Sequence, residues 1–271
     1  MNFKCYLCGN NSAEVMADKE TVRFGEHINI MRCLKCGLIQ AFPMKEISYE
    51  GYSEKIDFIG QKRKLRVSKY LPKLLGRKNK AKMEILEVGC GHGDNLKYLY
   101  EKGYHTVHGI DKDPMVCKKN ASVLNLDWKL YNYWGLDAVY GIHLLEHISD
   151  PRKFMLFIKH ILKNKGKFIF EIPCVEDPLI KLYKIKAYNK FCWYPYHAFF
   201  YSKESIRSVL FGFKIKVIRR QEYGIINHLR WAIRGKPGNW NPHIPILDSI
   251  YKWILCKLGY SDSLIVVGEN I

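Results

Sequence analysis

Glu84-Ile-Leu-Glu-Val-Gly-Cys-Gly-His-Gly-Asp94 is an apolar run that ends in three glycines at alternate positions. The run reads as a buried strand, and Gly89, Gly91 and Gly93 as the turn that follows it. Without a Cβ the backbone can reverse sharply and a ligand can lie against it, as in the crevice of a doubly wound sheet. Asp111 closes the next strand, His105-Thr-Val-His-Gly-Ile-Asp111, where a carboxylate can accept hydrogen bonds from both hydroxyls of a ribose. Glu87, two residues before the first glycine, would oppose a pyrophosphate and suits a ligand that carries an ammonium and a sulfonium. The pattern therefore favours a cationic, adenosine-like ligand over a dinucleotide. Cys90 and His92 read as side chains that pack or face solvent, because such a loop offers its ligand backbone.

Helix and strand patterns alternate outward from this turn. A helix is expected from Asp94, another opened by Pro114, and a strand over Leu136-Asp-Ala-Val-Tyr-Gly-Ile142. Pro151 opens a helix whose Phe154, Phe157, Ile158, Ile161 and Leu162 share one face, with Lys163-Asn-Lys-Gly166 as its stop before a strand over Lys167–Ile172. Ser202 starts a further helix, Phe211-Gly-Phe213 turns it into a strand over Lys214–Ile218, and the last strand is Leu264–Val267. The forty or so residues between these two strands exceed the needs of a hairpin. They contain Trp231, Trp240 and an expected helix around Ile250–Leu258, and read as a lid or dimer contact, or as a seat for a lipid-linked substrate at a membrane surface.

The beginning of the chain has a different character. Cys5-x-x-Cys8 and Cys33-x-x-Cys36, each followed by glycine, have the spacing of a four-thiolate zinc site, with Cys5, Cys8, Cys33 and Cys36 as ligands. A redox dithiol needs only one such pair. Residues 1–45 are thus expected to form a zinc-binding ribbon stabilised by its metal, 46–81 a basic helical connector, and 82–271 the glycine-loop domain with an insertion at about 222–260.

Composition sets limits on all of this. The 271 residues, 48% of them hydrophobic, suffice for one large domain with a small appendage. Nine cysteines, an odd number, suit metal thiolates in a reducing compartment. With no apolar run near the length of a membrane span and no secretory leader in the opening residues, a cytoplasmic location is expected. The formal charge of +18 attracts nucleic acid whatever the function. Its densest run, Gln61-Lys-Arg-Lys-Leu-Arg66 with Arg77-Lys-Asn-Lys80, reads first as a solvated helix face, second as an RNA-binding surface, and would also favour an acidic substrate.

Glu-x-Gly-x-Gly-x-Gly followed by Gly109-Ile-Asp-Lys-Asp-Pro114 resembles the signature of class I S-adenosylmethionine-dependent methyltransferases. The resemblance implies a Rossmann-like, doubly wound, mostly parallel seven-stranded α/β sheet. It also implies a donor site built from Glu87, Gly89, Cys90, Gly91, Gly93, Asp111, Lys112 and His143. Gly141-Ile-His-Leu-Leu-Glu-His147 resembles a segment of the same superfamily in which a Glu-His pair begins a helix beside the donor, so Glu146 and His147 either orient that segment or take part in catalysis. Phe191-Cys-Trp-Tyr-Pro-Tyr-His-Ala-Phe-Phe-Tyr-Ser202 resembles the His-containing stretch of sugar methyltransferases. Met31-Arg-Cys-Leu-Lys-Cys-Gly-Leu-Ile-Gln40 resembles the zinc-binding entry domain of deoxysugar C-methyltransferases and polysaccharide-cluster relatives. On this resemblance, over residues 1 to about 220, His197 is the general base, with Tyr52 and His147 near a nucleotide-linked or polysaccharide sugar. Tyr196 stands where those enzymes commonly carry Glu, and their large carboxyl-terminal domain has no counterpart here, so oxygen, nitrogen and carbon all stay open as the acceptor atom. The other readings are an rRNA or tRNA methyltransferase that grips RNA through the ribbon and basic surface, and a non-enzymatic zinc adaptor.

Overall fold

The computed structural model describes residues 2–20, 27–44, 71–75, 79–113, 123–236 and 244–270. The expected helix at Pro114, Trp240, Tyr52 and most of the basic connector lie outside them.

The amino-terminal strands β1 (Ala13–Glu20), β2 (His27–Cys33) and β3 (Ile39–Phe42) pair antiparallel. After α1 (Leu71–Leu75) the chain alternates: β4 (Glu84–Val88), α2 (Asp94–Glu101), β5 (Thr106–Asp111), β6 (Val123–Asn125), β7 (Leu136–Ile142), α3 (Pro151–Ile161) and β8 (Leu162–Pro173). Short helices α4 (Pro178–Lys181) and α5 (Lys186–Cys192) lead to β9 (Phe199–Phe200) and α6 (Lys203–Val209). The chain ends with β10 (Lys214–Arg220), α7 (Ile225–Arg234), α8 (Pro245–Lys257) and β11 (Ser263–Glu269).

The main sheet runs β10-β11-β8-β7-β4-β5-β6. Its pairs are parallel from β8 through to β6, whereas β11 lies antiparallel to both β8 and β10. Alternation of side chains along each strand fills two core layers. Leu86, Val139, Phe168 and Phe170 face Phe154 and Ile158 of α3, while Ile85, Ala138, Tyr140 and Ile169 face Leu99 of α2 and Leu71 and Leu75 of α1. Asp150 caps α3 by accepting the Lys153 amide at 3.0 Å, and Ser202 and Ser205 form a reciprocal capping box at the start of α6.

Three expectations change. Lys163-Asn-Lys-Gly166 is not a plain helix stop: β8 already starts at Leu162, which pairs with Leu136, and the register then shifts so that Lys167 pairs with Ala138. Asn270 fastens this stretch: its side-chain amide donates to the carbonyls of Leu162 and Lys163 while its backbone exchanges hydrogen bonds with Lys165 and Gly166. The insertion holds two helices rather than one, α7 having escaped the sequence reading. The amino-terminal strands do not close a sheet of their own, since β9 adds to β3 through the pairs Ile39/Phe200 and Gln40/Phe199.

Candidate functional site

The glycine loop follows β4 with φ of 70° at Gly89, 57° at Gly91 and 77° at Gly93, all in the region that L side chains avoid. The amides of Gly89 and Cys90 both donate to the Ile110 carbonyl, at 2.8 and 3.2 Å, which ties the loop to the end of β5. Asp111 stands at that end. Its Oδ2 accepts the Gly91 amide at 2.9 Å and its Oδ1 the Asp113 amide at 3.0 Å, so the carboxylate and the loop form one rigid unit at the carboxyl edge of the sheet. A Cβ on Gly89 would come within 3.0 Å of Leu144 Cδ1, so the loop also packs against the segment after β7. Lys112 is exposed beside Asp111. Cys90 is buried and packs with Leu96 behind the loop, so it presents only its backbone.

Glu87, expected to face the donor, is buried at the end of β4. It is 1% exposed, with Oε1 accepting from the Asn95 amide at 2.7 Å and Oε2 from the Tyr140 hydroxyl at 2.9 Å. Burial, reinforced by this carboxylate, holds the Tyr140 phenol protonated, well above its ordinary range. The charge of Glu87 thus sits beneath the loop and fixes the first turn of α2 through Asn95.

A cavity of about 440 Å³ opens at the carboxyl ends of β7 and β8. Tyr188, Phe191, Trp193 and Tyr194 line it together with His143, His147 and His197. His143, the first residue after β7, takes φ 53°, donates its amide to the Glu171 carbonyl and holds Nδ1 3.2 Å from Glu146 Oε1. Next to Leu144, it links the glycine loop to the cavity. His147 Nδ1 lies 2.9 Å from the Tyr196 carbonyl, an acceptor only, so that nitrogen carries the proton. The rings of His147 and His197 meet edge to face with centroids 4.8 Å apart, and ligand atoms of Glu146, His147 and His197 lie within 4.8 Å of one another. The Ala198 amide donates to the Glu146 carbonyl at 2.7 Å and clamps the two segments together.

The structure thus brings His143, Glu146, His147 and His197 into one wall, while Tyr52 lies outside the described residues. It corrects one premise about His197. Burial first, then the neighbouring His147 and His143, push its pKa well below the ordinary imidazole range, so it does not titrate near neutrality but stays uncharged there. Sequence reasoning also missed Asp177, Tyr223 and Asp262 in the lining. Asp262 is committed to structure, accepting from the Gln221 side chain and the amides of Glu222 and Tyr223. Asp177 likewise takes the Leu179 amide and the Tyr188 hydroxyl. No lysine or arginine is among the described lining residues.

The four amino-terminal cysteines converge. Cys5 and Cys36 sulfurs are 3.5 Å apart, Cys8 and Cys33 sulfurs 3.6 Å, and all four lie within 4.8 Å of one another. A zinc ion with Zn–S bonds of about 2.3 Å needs sulfurs roughly 3.8 Å apart, so these donors have the right span. Burial alone would raise the Cys33 thiol, but the amides of Cys36 and Lys35 and the Cys8 and Asn10 side chains outweigh it and bring its pKa down to about 6. Asn10 contributes from 3.7 Å.

Comparisons with known proteins agree with this architecture. The chain of a complex between the Haloferax volcanii Trm112 methyltransferase activator and a methyltransferase superposes with a TM-score of 0.54 at 15% identity, covering 82% of this chain and 97% of that one. The geranyl diphosphate C-methyltransferase of Streptomyces coelicolor A3(2) gives a TM-score of 0.51 at 11% identity over 84% and 85% of the two chains. At such identities the likeness concerns fold alone. In sequence, the tRNA U34 carboxymethyltransferase of Idiomarina loihiensis is 26% identical over 126 residues, 41% of this chain, and the chain spans only 37% of that relative's length. Residues 59–216, which contain the glycine loop, Asp111 and His197, match the family model described as a methyltransferase domain. That match covers more than half of the sequence, so the chain belongs to the methyltransferase-domain family.

Proposed function

We propose that the protein methylates a sugar, nucleotide-linked or part of a polysaccharide, with His197 taking the acceptor's proton. The observation that carries this reading is the His147/His197 pair in the wall of an aromatic cavity that adjoins the glycine loop through His143 and Leu144. Aromatic faces suit the apolar face of a sugar ring, and a lining without described cations suits an uncharged group better than a phosphate. Any phosphate of the acceptor then has to lie beyond the cavity.

The donor fits the residues present. Asp111, which accepts the Gly91 amide at the end of β5, would hold the ribose diol of the donor, with the glycine loop against it; the hydrogen bond between the two supports this reading. Bound there, S-adenosylmethionine would supply a sulfonium methyl, with the thioether S-adenosylhomocysteine as the leaving group. The chain's own part is alignment and proton transfer. The cavity walls hold the acceptor in line, and an O–H or N–H proton passes to uncharged His197 as the new bond to carbon forms. His147, locked through Nδ1, positions the His197 ring. Zinc on Cys5, Cys8, Cys33 and Cys36 would hold the small sheet that β9 joins through β3.

Substituting His197→Ala should leave donor affinity intact while turnover on a sugar acceptor falls about a hundredfold or more. Calorimetry and a labelled-methyl assay measure the two, and full activity of the variant would reject the base assignment. The second reading, methylation of RNA, is favoured by the charge of +18 and by the tRNA-modifying relative. It requires labelled methyl to enter RNA, with binding that weakens steeply as salt rises.

A further inference from the structure

Helices α7 and α8 carry an apolar surface that no described part of the chain covers. On α8 the large side chains of Ile246, Leu247, Ile250, Trp253 and Ile254 point outward, Ile246 being 75% and Trp253 63% exposed, while the buried side is Asp248 and Leu255. On α7, Leu229 and Ile233 are one turn apart on the outer side, Ile233 79% exposed. A soluble monomer rarely leaves such a contiguous patch to water.

The two helices are fixed to each other. Asp248 accepts the Ile225 amide at 3.0 Å and the Ile244 amide at 3.2 Å, and His228 Nδ1 lies 2.6 Å from the Tyr251 hydroxyl. Their charges have one sign on the outside. Asp248 is the only carboxylate in either helix and is buried, whereas Arg234 and Lys257 are exposed, with Lys236 just beyond α7 and Lys252 half-buried. Lys257 reaches over the Trp253 ring with Nζ 5.7 Å from its centroid, an ammonium placed beside an apolar anchor. The pair also frames the cavity. Trp231 of α7 meets Tyr188 and Phe191 of the lining with centroids 4.8 and 5.1 Å apart, and Tyr223 just before α7 lines the cavity itself.

We propose that the outer face of α7 and α8 docks on an anionic lipid bilayer. An interfacial helix pair with bulky apolar residues on one side and only cations at its rim has the chemistry of surface binding, in which burial and attraction to acidic headgroups act together. No described helix is long and apolar enough to cross a membrane, which fits a protein that lies on the surface. A second copy of the chain is the poorer occupant: a two-fold contact would press Arg234, Lys236, Lys252 and Lys257 of both copies together on molecules that each carry +18. The cavity would then open beside the headgroups, where a sugar carried on a lipid is presented. This last consequence rests on the sugar reading; the docking face does not.

Flotation of the full-length protein tests the docking. Wild type should float with vesicles of equimolar phosphatidylcholine and phosphatidylglycerol, less with phosphatidylcholine alone, and less as salt is raised. The double variant Ile250→Ser/Trp253→Ser, at exposed sites outside the core, should keep its circular dichroism and donor affinity but bind anionic vesicles roughly tenfold or more weakly. Wild type that floats with neither vesicle, or a double variant that floats as well as wild type, would overturn the proposal. So would a lipid-free dimer that this double variant dissociates. Failure of wild type to bind the donor would count against the methyl-transfer reading, not against docking.

Discussion

His228 has both ring nitrogens engaged by partners that leave no place for a second proton. Gln221 Nε2 donates to Asp262 and to the Tyr223 carbonyl, and its Oε1 accepts the Asp262 amide, so the amide cannot turn over. Nε2 of His228 faces that NH₂ group at 3.2 Å, where a ring proton would meet only hydrogens, so the proton sits on Nδ1, which donates to Tyr251, whose hydroxyl meets that of Tyr183. Burial, then Lys252, lower its pKa to about 4, with Asp248 opposing. An unfolded histidine near 6.5 takes up a proton first, so the stability His228 confers is complete above that pH and is lost as pH falls toward 4, by up to about 1.4 kcal/mol per pH unit. His197 acts in the same direction. Urea unfolding between pH 7 and pH 5 should show wild type losing stability more steeply than His228→Gln; parallel curves would contradict the assignment. None of this network was legible beforehand, because Gln221, His228 and Asp262 lie in different elements and their neighbours in sequence give no hint of a meeting. The glycines and Asp111 were legible, since their chemistry depends on a local turn and the end of one strand.

At the level of elements, β9 couples the cysteine cluster to the cavity. Phe199 and Phe200 both border the cavity and belong to the strand that pairs with β3, and the Ala41 amide donates to the Ala198 carbonyl at 2.9 Å. Tyr6, within the first Cys-x-x-Cys pair, reinforces this by donating its hydroxyl to Asp150 at 2.6 Å, the residue that caps α3. Cys33→Ser, or treatment with a chelator if the four cysteines hold zinc as proposed, should therefore lower the melting temperature by several degrees and reduce turnover, while donor affinity stays within about twofold. Loss of donor binding in parallel with turnover would show that the cluster supports the whole fold rather than the cavity. The cysteine spacing and the alternation of helices and strands were readable because each is a short-range pattern. The two-residue strand β9 was not, because an aromatic run offers no periodicity and its pairing partner lies about 160 residues earlier. Helix α7 did leave a signal: Ile225, Ile226, Leu229 and Ile233 follow helical spacing and Gly235 closes it with φ 64°.

For the molecule as a whole, the arrangement divides labour across one sheet edge. The glycine loop and Asp111 occupy the crevice where the strand order reverses beside β4, and the histidines and aromatic walls occupy the next strand ends, at β7 and β8. The charge of +18 is spread outside the described cavity and serves whatever surface the protein approaches, nucleic acid or acidic lipid. The family match and the fold agree on a methyltransferase domain, and on the proposed function the cavity and the two helices beside it select the acceptor. Titration of the purified protein with S-adenosylmethionine in a calorimeter, wild type against Asp111→Ala, tests the central claim most directly. The account predicts saturable heat from wild type at micromolar donor and an affinity at least about tenfold weaker in the variant, the loss of a charged hydrogen-bond acceptor. No heat from wild type at millimolar donor, or equal binding by both proteins, would contradict it.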